Sequence, residues 1–277
     1  MIITKMQGAG NDFVIINNMT EHLPLEGMPE LARRVCQRRL SVGADGMMVV
    51  EQPSIKDADY RMIFYNADGS LGEMCGNGAR CICRYGYEKH LAGEIQRVQT
   101  TAGIVTGTRI SAREYRVRLN DITVMDLHRS LVVLGNTYDV AYVEMGSPGI
   151  PHAVVHIPGL RNLTPEQLRP IGKALRWHPS FPKGANVNFY DIIGKNELQE
   201  LTYERGVEDF TYACGTGTGS TVSILAKFGV ISGKDTLVHM PGGVLHVTTD
   251  VSGDTPKDIM LTGPAVFVTE GPLLLDL

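Results

Sequence analysis

The feature that most constrains the fold is a short box that occurs twice. Cys75-Gly76-Asn77-Gly78 and Cys214-Gly215-Thr216-Gly217 each place a cysteine directly before a stretch with helical character. Those stretches predict helices over residues 76–91 and 215–229. A box of this kind in each half of the chain predicts two similar lobes, each built of strands around one central helix.

The rest of the chain is dominated by strand signals. A further helix is predicted to begin at Thr164, which precedes a proline and stands three residues before a glutamine, and to run to about Trp177. Another helix is predicted over residues 29–40. Strands or hairpins are predicted at 1–18, 46–51, 60–65, 97–120, 138–145, 153–157, 187–193, 197–203, 236–250 and 258–269. These elements predict a mixed fold of the α/β class, more specifically an α+β fold.

Composition and charge exclude several classes of protein. The net charge of −4 argues against a nucleic-acid binder, which usually presents a basic face. No apolar run reaches the roughly 18 residues of a membrane helix, and residues 1–18 are not typical of a signal peptide. The five cysteines are an odd number, which favours reduced thiols. A cytoplasmic location is the default expectation.

A cysteine at the start of a helix has a distinct chemical setting. The first backbone N–H groups of a helix are unpaired and the helix dipole is positive there, so a thiolate is favoured and its pKa is expected to fall. The same N–H groups can bind a carboxylate. A single cysteine before a helix is most often a packing residue, and this is the interpretation of Cys36, Cys81 and Cys83.

Two such cysteines suit one reaction class. If Cys75 and Cys214 face each other across a cleft, one can remove the α-proton of an amino acid while the other protonates the opposite face, which inverts the stereocentre. No cofactor is needed for that step. The spacing of Cys75, Cys81 and Cys83 does not match a zinc site, and residues 215–219 lack the lysine of a phosphate-binding loop.

Several segments, in order, are similar to one known family. The matching segments are residues 5–13, 66–70, 75–80, 186–187, 204–206, 213–217, 242–243 and 262–265. They resemble diaminopimelate epimerase over nearly the whole chain, and the two cysteine boxes are the most specific part.

The resemblance implies a fold and an activity. It implies two pseudo-symmetric lobes with the active site in the cleft between them. The N-terminal lobe would comprise residues 1–125 and 263–277 and carry Cys75, and the C-terminal lobe would comprise 126–262 and carry Cys214. The implied activity is epimerisation of LL-diaminopimelate to meso-diaminopimelate without pyridoxal phosphate, in lysine and cell-wall precursor biosynthesis.

The resemblance also implies roles for individual residues. Cys75 and Cys214 would be the catalytic acid and base, and His152 an auxiliary polar group. The implied substrate-binding residues are Asn11, Asn66, Gly76, Asn77, Asn186, Glu204, Arg205, Gly215 and Thr216. Taken alone, these side chains have ordinary interpretations: Asn11 and Asn66 as turn residues, His152 as a loop histidine, and Glu204-Arg205 as a surface pair. The expected partners are a small amino-acid substrate and, by family analogy, a second copy in a homodimer.

Two segments depart from the family pattern. Residues 146–152 are longer than the usual Gly-Asn-Pro-His, with Ile150 where an amide is expected, although Ser147 is a candidate replacement. Residues 207–213 are one residue longer than usual. These departures leave two alternatives open: a racemase of another amino acid such as histidine, and a non-catalytic amino-acid-binding protein. Proline racemases share the use of two cysteines as acid and base but match the other segments less well.

Overall fold

The chain forms two compact units in a computed structural model that describes residues 1–72 and 75–274. Lobe 1 comprises Met1–Val117 and the segment from Thr262 onward, and lobe 2 comprises Arg118–Leu261. The part of the predicted N-terminal lobe at residues 275–277 lies outside the described residues. No helix in the described ranges is long and apolar enough to span a membrane.

Strands outnumber helices, as the sequence predicts for an α+β fold. The strands are β1 (Ile2–Gly8), β2 (Asn11–Asn17), β3 (Gly46–Glu51), β4 (Tyr60–Asn66), β5 (Ile95–Thr100), β6 (Gly103–Arg109), β7 (Glu114–Arg118), β8 (Ile122–Val133), β9 (Asn136–Met145), β10 (Ile150–His156), β11 (Asn186–Gly194), β12 (Glu197–Glu204), β13 (Asp209–Thr211), β14 (Thr236–Met240), β15 (Gly243–Asp250), β16 (Lys257–Pro264) and β17 (Val266–Pro272). The α-helices are α1 (Asn18–Glu21), α2 (Met28–Val35), α3 (Gly76–Glu88), α4 (Pro165–Arg176) and α5 (Gly215–Lys227).

The two lobes share one order of strand pairing. In lobe 1, β1 and β2 are antiparallel, β2 and β3 parallel, β3 and β4 antiparallel, β4 and β5 parallel, and β5 and β6 antiparallel. In lobe 2, the same sequence of pairings joins β9, β10, β11, β12, β14 and β15. The helices α2 and α4 occupy equivalent crossovers, and α3 and α5 follow the fourth strand of each set. The repeated cysteine box therefore belongs to a repeated topology.

A buried helix lies among the strands of each lobe. Helix α3 packs against β1, β2 and β6, and helix α5 packs against β9, β10, β11 and β15. Nearly all side chains of α5 are buried, including Ser220, Thr221 and Ser223. Small residues allow this close approach. The burial fixes the N-terminal end of each helix, and thus the cysteine that precedes it, against a rigid layer of strands.

The predicted helix over residues 29–40 is too long. Helix α2 ends at Val35, because the backbone N–H groups of Gly43 and Ala44 bind the carbonyls of Val35 and Cys36 at 2.9 and 3.1 Å. These bonds satisfy the terminal carbonyls, and Arg39 then adopts a positive φ of 71°. By contrast, the helix predicted from Thr164 is confirmed with its reciprocal capping box to Gln167.

Candidate active site

Cys75 caps the N-terminus of α3 and contacts Asn11. The Cys75 thiol donates to Asn11 Oδ1 at 3.4 Å, and Asn77 Nδ2 donates to the same oxygen at 3.5 Å. Asn11 Nδ2 donates to the carboxylate of Asp45, which can only accept, so the orientation of the Asn11 amide is fixed. The structure thus brings three predicted site residues together around Cys75, which is half-buried.

Arg80 lies beneath this group and was not assigned a role from the sequence. It is fully buried, and its guanidinium donates to Asn77 Oδ1 at 3.0 Å and to the carbonyls of Gly76 and Pro264 at 3.4 Å. Burial lowers the pKa of Arg80 to about 10, so it stays charged at neutral pH. A cation therefore supports the first turn of α3 and holds the Asn77 amide. The sequence feature that could have indicated this role is an arginine placed four residues after Gly76.

The polar groups of Asn66 are hydrogen-bonded within a turn at the end of β4. Its backbone N–H binds the carbonyl of Ser70 at 2.9 Å, and its side-chain Nδ2 donates to Ser70 Oγ at 2.9 Å. The Asn66 amide is half-buried. In this structure the side chain has the turn role that asparagine often plays, and its predicted contact with substrate stays a prediction.

Cys214 caps α5 and is more deeply buried than Cys75. Its Sγ lies 3.7 Å from Thr216 Oγ1, and the residue is 7% exposed. Burial, followed by the negative charge of Glu204, raises the pKa of Cys214 well above its ordinary value, although the Gly217 N–H and the Thr216 hydroxyl act in the opposite direction. The expectation that a helix start lowers the thiol pKa is therefore wrong for Cys214, because desolvation outweighs the helix. Cys214 is a neutral thiol, suited to donate a proton.

Asn186 joins the segments that carry three other predicted residues. Asn186 and His152 are partners in the parallel pairing of β11 with β10. Asn186 Nδ2 donates to the carbonyl of Pro151 at 3.3 Å, and Asn186 Oδ1 accepts the backbone N–H of Arg205 at 2.8 Å. The Arg205 guanidinium donates to the Lys183 carbonyl at 3.3 Å. One amide thus sets the start of β10 relative to the end of β12, where Glu204 stands.

The segment that departs from the family pattern forms a hairpin. Strand β9 ends at Met145, and Ile150 pairs with Met145 as the first residue of β10. The additional residues lie in the loop at 146–149, where Ser147 is exposed. His152 is fully buried in β10, and burial together with the positive charge of Arg205 lowers its pKa to about 3. The imidazole is therefore neutral.

The two box cysteines should react differently with an alkylating reagent. Because the thiolate is the nucleophile, burial and the raised pKa protect Cys214, whereas Cys75 is half-buried. We expect iodoacetamide at pH 7 to modify Cys75 at least about tenfold faster than Cys214. Peptide mass spectrometry at timed intervals measures both rates. Cys36, whose pKa is raised by burial to about 11, is the unreactive internal reference. Equal rates at Cys75 and Cys214 would contradict this assignment.

Glu200 is a buried acid that the sequence analysis missed. Its Oε1 accepts the Thr221 hydroxyl of α5 at 2.9 Å, and within residues 1–72 and 75–274 its Oε2 has no hydrogen-bond partner. Burial raises the Glu200 pKa from 4.5 to about 7. The folded state then binds more protons than the unfolded state between these values, so Glu200 lowers stability as pH rises through that window.

Replacing Glu200 with glutamine should remove this pH dependence. Relative to wild type, Glu200→Gln is expected to gain up to about 3 kcal/mol in unfolding free energy between pH 4.5 and 7, at about 1.4 kcal/mol per pKa unit. Urea unfolding at pH 5 and pH 8 measures the difference. The lowered pKa of His152 makes stability rise with pH, which is the opposite sign. This contribution is the same in both proteins, so it cancels in the difference. A difference that is constant with pH would show that Glu200 ionises normally.

Comparison with known proteins places the chain in a family. The diaminopimelate epimerase family matches residues 3–120 and 143–268. A diaminopimelate epimerase of Moorella thermoacetica is 38% identical with 100% of both chains covered, and one of Aquifex aeolicus is 34% identical with 97% of this chain and 96% of the relative covered.

Solved structures that resemble the chain are more distant in sequence. A probable proline racemase from Agrobacterium radiobacter has a TM-score of 0.73 at 18% identity, covering 99% of this chain and 93% of that one. A hydroxyproline epimerase from Agrobacterium vitis has a TM-score of 0.71 at 17% identity, covering 100% and 93%. These structures support the two-lobe α+β fold. The full-length sequence matches go further: the chain belongs to the diaminopimelate epimerase family.

Proposed function

We propose that this protein is an isomerase that interconverts LL- and meso-diaminopimelate at one α-carbon, without pyridoxal phosphate or a metal. The observation that carries the proposal is the repeated placement of Cys75 and Cys214 as caps of buried helices in lobes of the same topology. Curated relatives that match over the full length are diaminopimelate epimerases, which favours this substrate over histidine and favours catalysis over mere binding.

The proposed reaction has two proton transfers. The thiolate of one cysteine takes the α-proton, the C–H electron pair becomes the carbanion, and the thiol of the other cysteine protonates the opposite face. Cys214, which burial and Glu204 keep protonated, is the proposed acid of the resting enzyme. Cys75 is then the first base: its thiol proton, which is hydrogen-bonded to Asn11 in the resting structure, passes to solvent water, and the resulting thiolate takes the α-proton. For the other stereoisomer the roles reverse.

The remaining predicted residues are proposed to bind the substrate. The backbone N–H groups at the starts of α3 and α5 would stabilise the charge that develops on the reacting carboxylate, as pre-organised donors do in other active sites. The residues concerned are Gly76, Asn77, Gly215 and Thr216. Asn11, Asn66, Asn186 and Arg205 would bind the distal end of the substrate, and Glu204 its amino group. Arg205 suits this role because a guanidinium can bind a carboxylate through two hydrogen bonds.

Solvent deuterium exchange at the α-carbon tests both the activity and the substrate. The protein is incubated in D₂O with LL-diaminopimelate, meso-diaminopimelate, histidine, lysine and proline in separate reactions. Deuterium incorporation with stereochemical inversion is expected for diaminopimelate alone. Incorporation into histidine instead would assign a different racemase. A protein that binds diaminopimelate without any exchange would be a binding protein, and the proposal would fail.

Two further features are proposed on the same basis. An enzyme that depends on two reduced thiols suits the cytoplasm, where thiols are kept reduced. The homodimer expected from the family stays a prediction, which light scattering after gel filtration can test.

A further inference from the structure

His152 has one ring nitrogen paired and one unpaired. Its Nδ1 lies 3.2 Å from Asn188 Nδ2. Its Nε2 is buried and has no hydrogen-bond partner among the described residues. Buried polar atoms are almost always paired in folded proteins. The unpaired ring nitrogen of this fully buried histidine is therefore available to pair with a bound ligand.

The Asn188 side chain determines which ring nitrogen of His152 carries the proton. Asn188 Nδ2 also lies 3.3 Å from the carbonyl oxygen of Ala153, which can only accept a hydrogen bond. The NH₂ group of Asn188 must therefore face Ala153, and it is the same NH₂ group that faces His152 Nδ1. Because the amide donates, Nδ1 accepts. A neutral imidazole with an accepting Nδ1 carries its proton on Nε2.

Thr202 and α5 hold Asn188 in this orientation. The Thr202 hydroxyl donates to Asn188 Oδ1 at 3.1 Å, and both residues are fully buried. The two residues are direct partners in the pairing of β11 with β12. A Cβ atom added at Gly217, in the first turn of α5, would overlap Asn188 Oδ1 and lie 3.3 Å from Cys214 Sγ. Asn188 Oδ1, at the centre of the chain Thr202–Asn188–His152, and the Cys214 thiol therefore both adjoin Gly217.

We propose that Asn188 is a positioning residue that fixes His152 as the Nε2–H tautomer, and that this N–H donates to a carboxylate oxygen of the bound amino acid. The ligand assignment rests on the proposed function. At neutral pH an amino acid offers carboxylate oxygens as acceptors, whereas its ammonium group only donates. The tautomer assignment rests only on the hydrogen bonds of lobe 2.

Nitrogen-15 NMR tests the tautomer in the ligand-free protein. The protein is labelled at the ring nitrogens of its eight histidines, and the His152 signals are assigned by their loss in His152→Gln. Long-range ¹H–¹⁵N correlations are expected to show a protonated Nε2 and an unprotonated Nδ1 from pH 5 to 9. Addition of meso-diaminopimelate is expected to shift the Nε2–H proton signal downfield. A protonated Nδ1, or titration within this range, would overturn the proposal.

Variants separate positioning from mere stability. Asn188→Leu is expected to lose the single tautomer and to lower kcat by about 10- to 100-fold, by analogy with the hydrogen-bonding partners that orient metal-binding histidines, with a smaller change in KM. Thr202→Val should show a weaker form of the same effect, and Thr202→Ser should restore wild-type behaviour. Thr249→Val is the matched control, since it removes another buried hydroxyl of lobe 2, one bonded to Ser223 and the Lys257 carbonyl, without touching Asn188.

The outcomes distinguish this proposal from the proposed function. If the Nε2–H tautomer is present but diaminopimelate does not exchange its α-proton, the tautomer assignment stands and the substrate is wrong. If diaminopimelate exchanges but Asn188→Leu keeps both the tautomer and kcat, Asn188 is not a positioning residue. A fall in kcat for Thr249→Val as large as for Thr202→Val would also overturn the proposal, because the effect would be one of general packing.

Discussion

Replacement of Cys75 or Cys214 by alanine is expected to lower the rate of epimerisation by on the order of 10²- to 10⁴-fold, the contribution typical of a positioned acid or base. The physical reason is that each face of the α-carbon then lacks its proton carrier. The difference between the two variants should show which cysteine serves which face of the α-carbon. Each retains one thiol, so each is expected to exchange the α-proton of one stereoisomer with solvent without inverting it. Proton NMR in D₂O, started from pure LL- and pure meso-diaminopimelate, measures exchange and inversion together.

Cys36→Ala is the matched control for these variants. Cys36 is buried in the core formed by α2, β2 and β3 and is not part of either box. Its loss should lower stability modestly and leave kcat within about twofold of wild type. Epimerisation at the wild-type rate by Cys75→Ala or Cys214→Ala would exclude the two-thiol mechanism. Exchange of both stereoisomers by one variant would show that a single residue reaches both faces.

Replacement of Gly217 by alanine is expected to have the second largest effect. The new Cβ would overlap Asn188 Oδ1, which Thr202 and the strand backbone hold in place. Either α5 or β11 must move, so we expect about 1–3 kcal/mol of lost stability from overpacking. Displacement of the Cys214 thiol, which would lie 3.3 Å from the added carbon, should lower kcat by at least about tenfold. Thermal unfolding and steady-state kinetics measure the two effects.

Gly78 occupies the equivalent place in the first box and serves as the control. A Cβ at Gly78 would overlap the terminal Cε of Met48, a flexible group that can rotate away, and would lie in ordinary contact with Phe13 Cζ at 3.4 Å and Cys75 Cβ at 3.6 Å. Alanine is also favoured over glycine within a helix by about 1 kcal/mol. Gly78→Ala is therefore expected to fold with unchanged or higher stability. If Gly217→Ala is equally harmless, the first turn of α5 is not held against Asn188 as described.

Sequence patterns were sufficient for the elements that local chemistry specifies. The helix start at Thr164 depends on contacts within one turn. The hairpin predicted over residues 236–250 depends on the short turn at Pro241-Gly242 between β14 and β15. Both are therefore readable from the chain. The helices after Cys75 and Cys214 are readable for the same reason. The long strand β8 was missed, because most of its side chains between Val124 and Ser130 are half-buried or exposed and show no regular alternation.

The parts of the site that depend on tertiary contacts were not readable. Arg80 is the last residue of the segment 75–80 that resembles the family, but only the fold shows that it is buried and bound to Asn77. Asn188 is two residues beyond Asn186 and looks like an ordinary strand residue until β10 and β12 are placed beside it. The thiol pKa of Cys214 was predicted with the wrong sign, because a sequence reveals the helix start but not the depth of burial.

The return of the chain to lobe 1 has a consequence for biosynthesis. Strand β1 pairs with β17 from Ile2 opposite Pro272, and the carbonyl of Ala265 accepts a hydrogen bond from Arg84 of α3. The Cys75 helix is thus completed by residues that are synthesised after lobe 2, which is one continuous segment. Lobe 1 therefore cannot complete its sheet or the packing of α3 until the whole of lobe 2 has been synthesised.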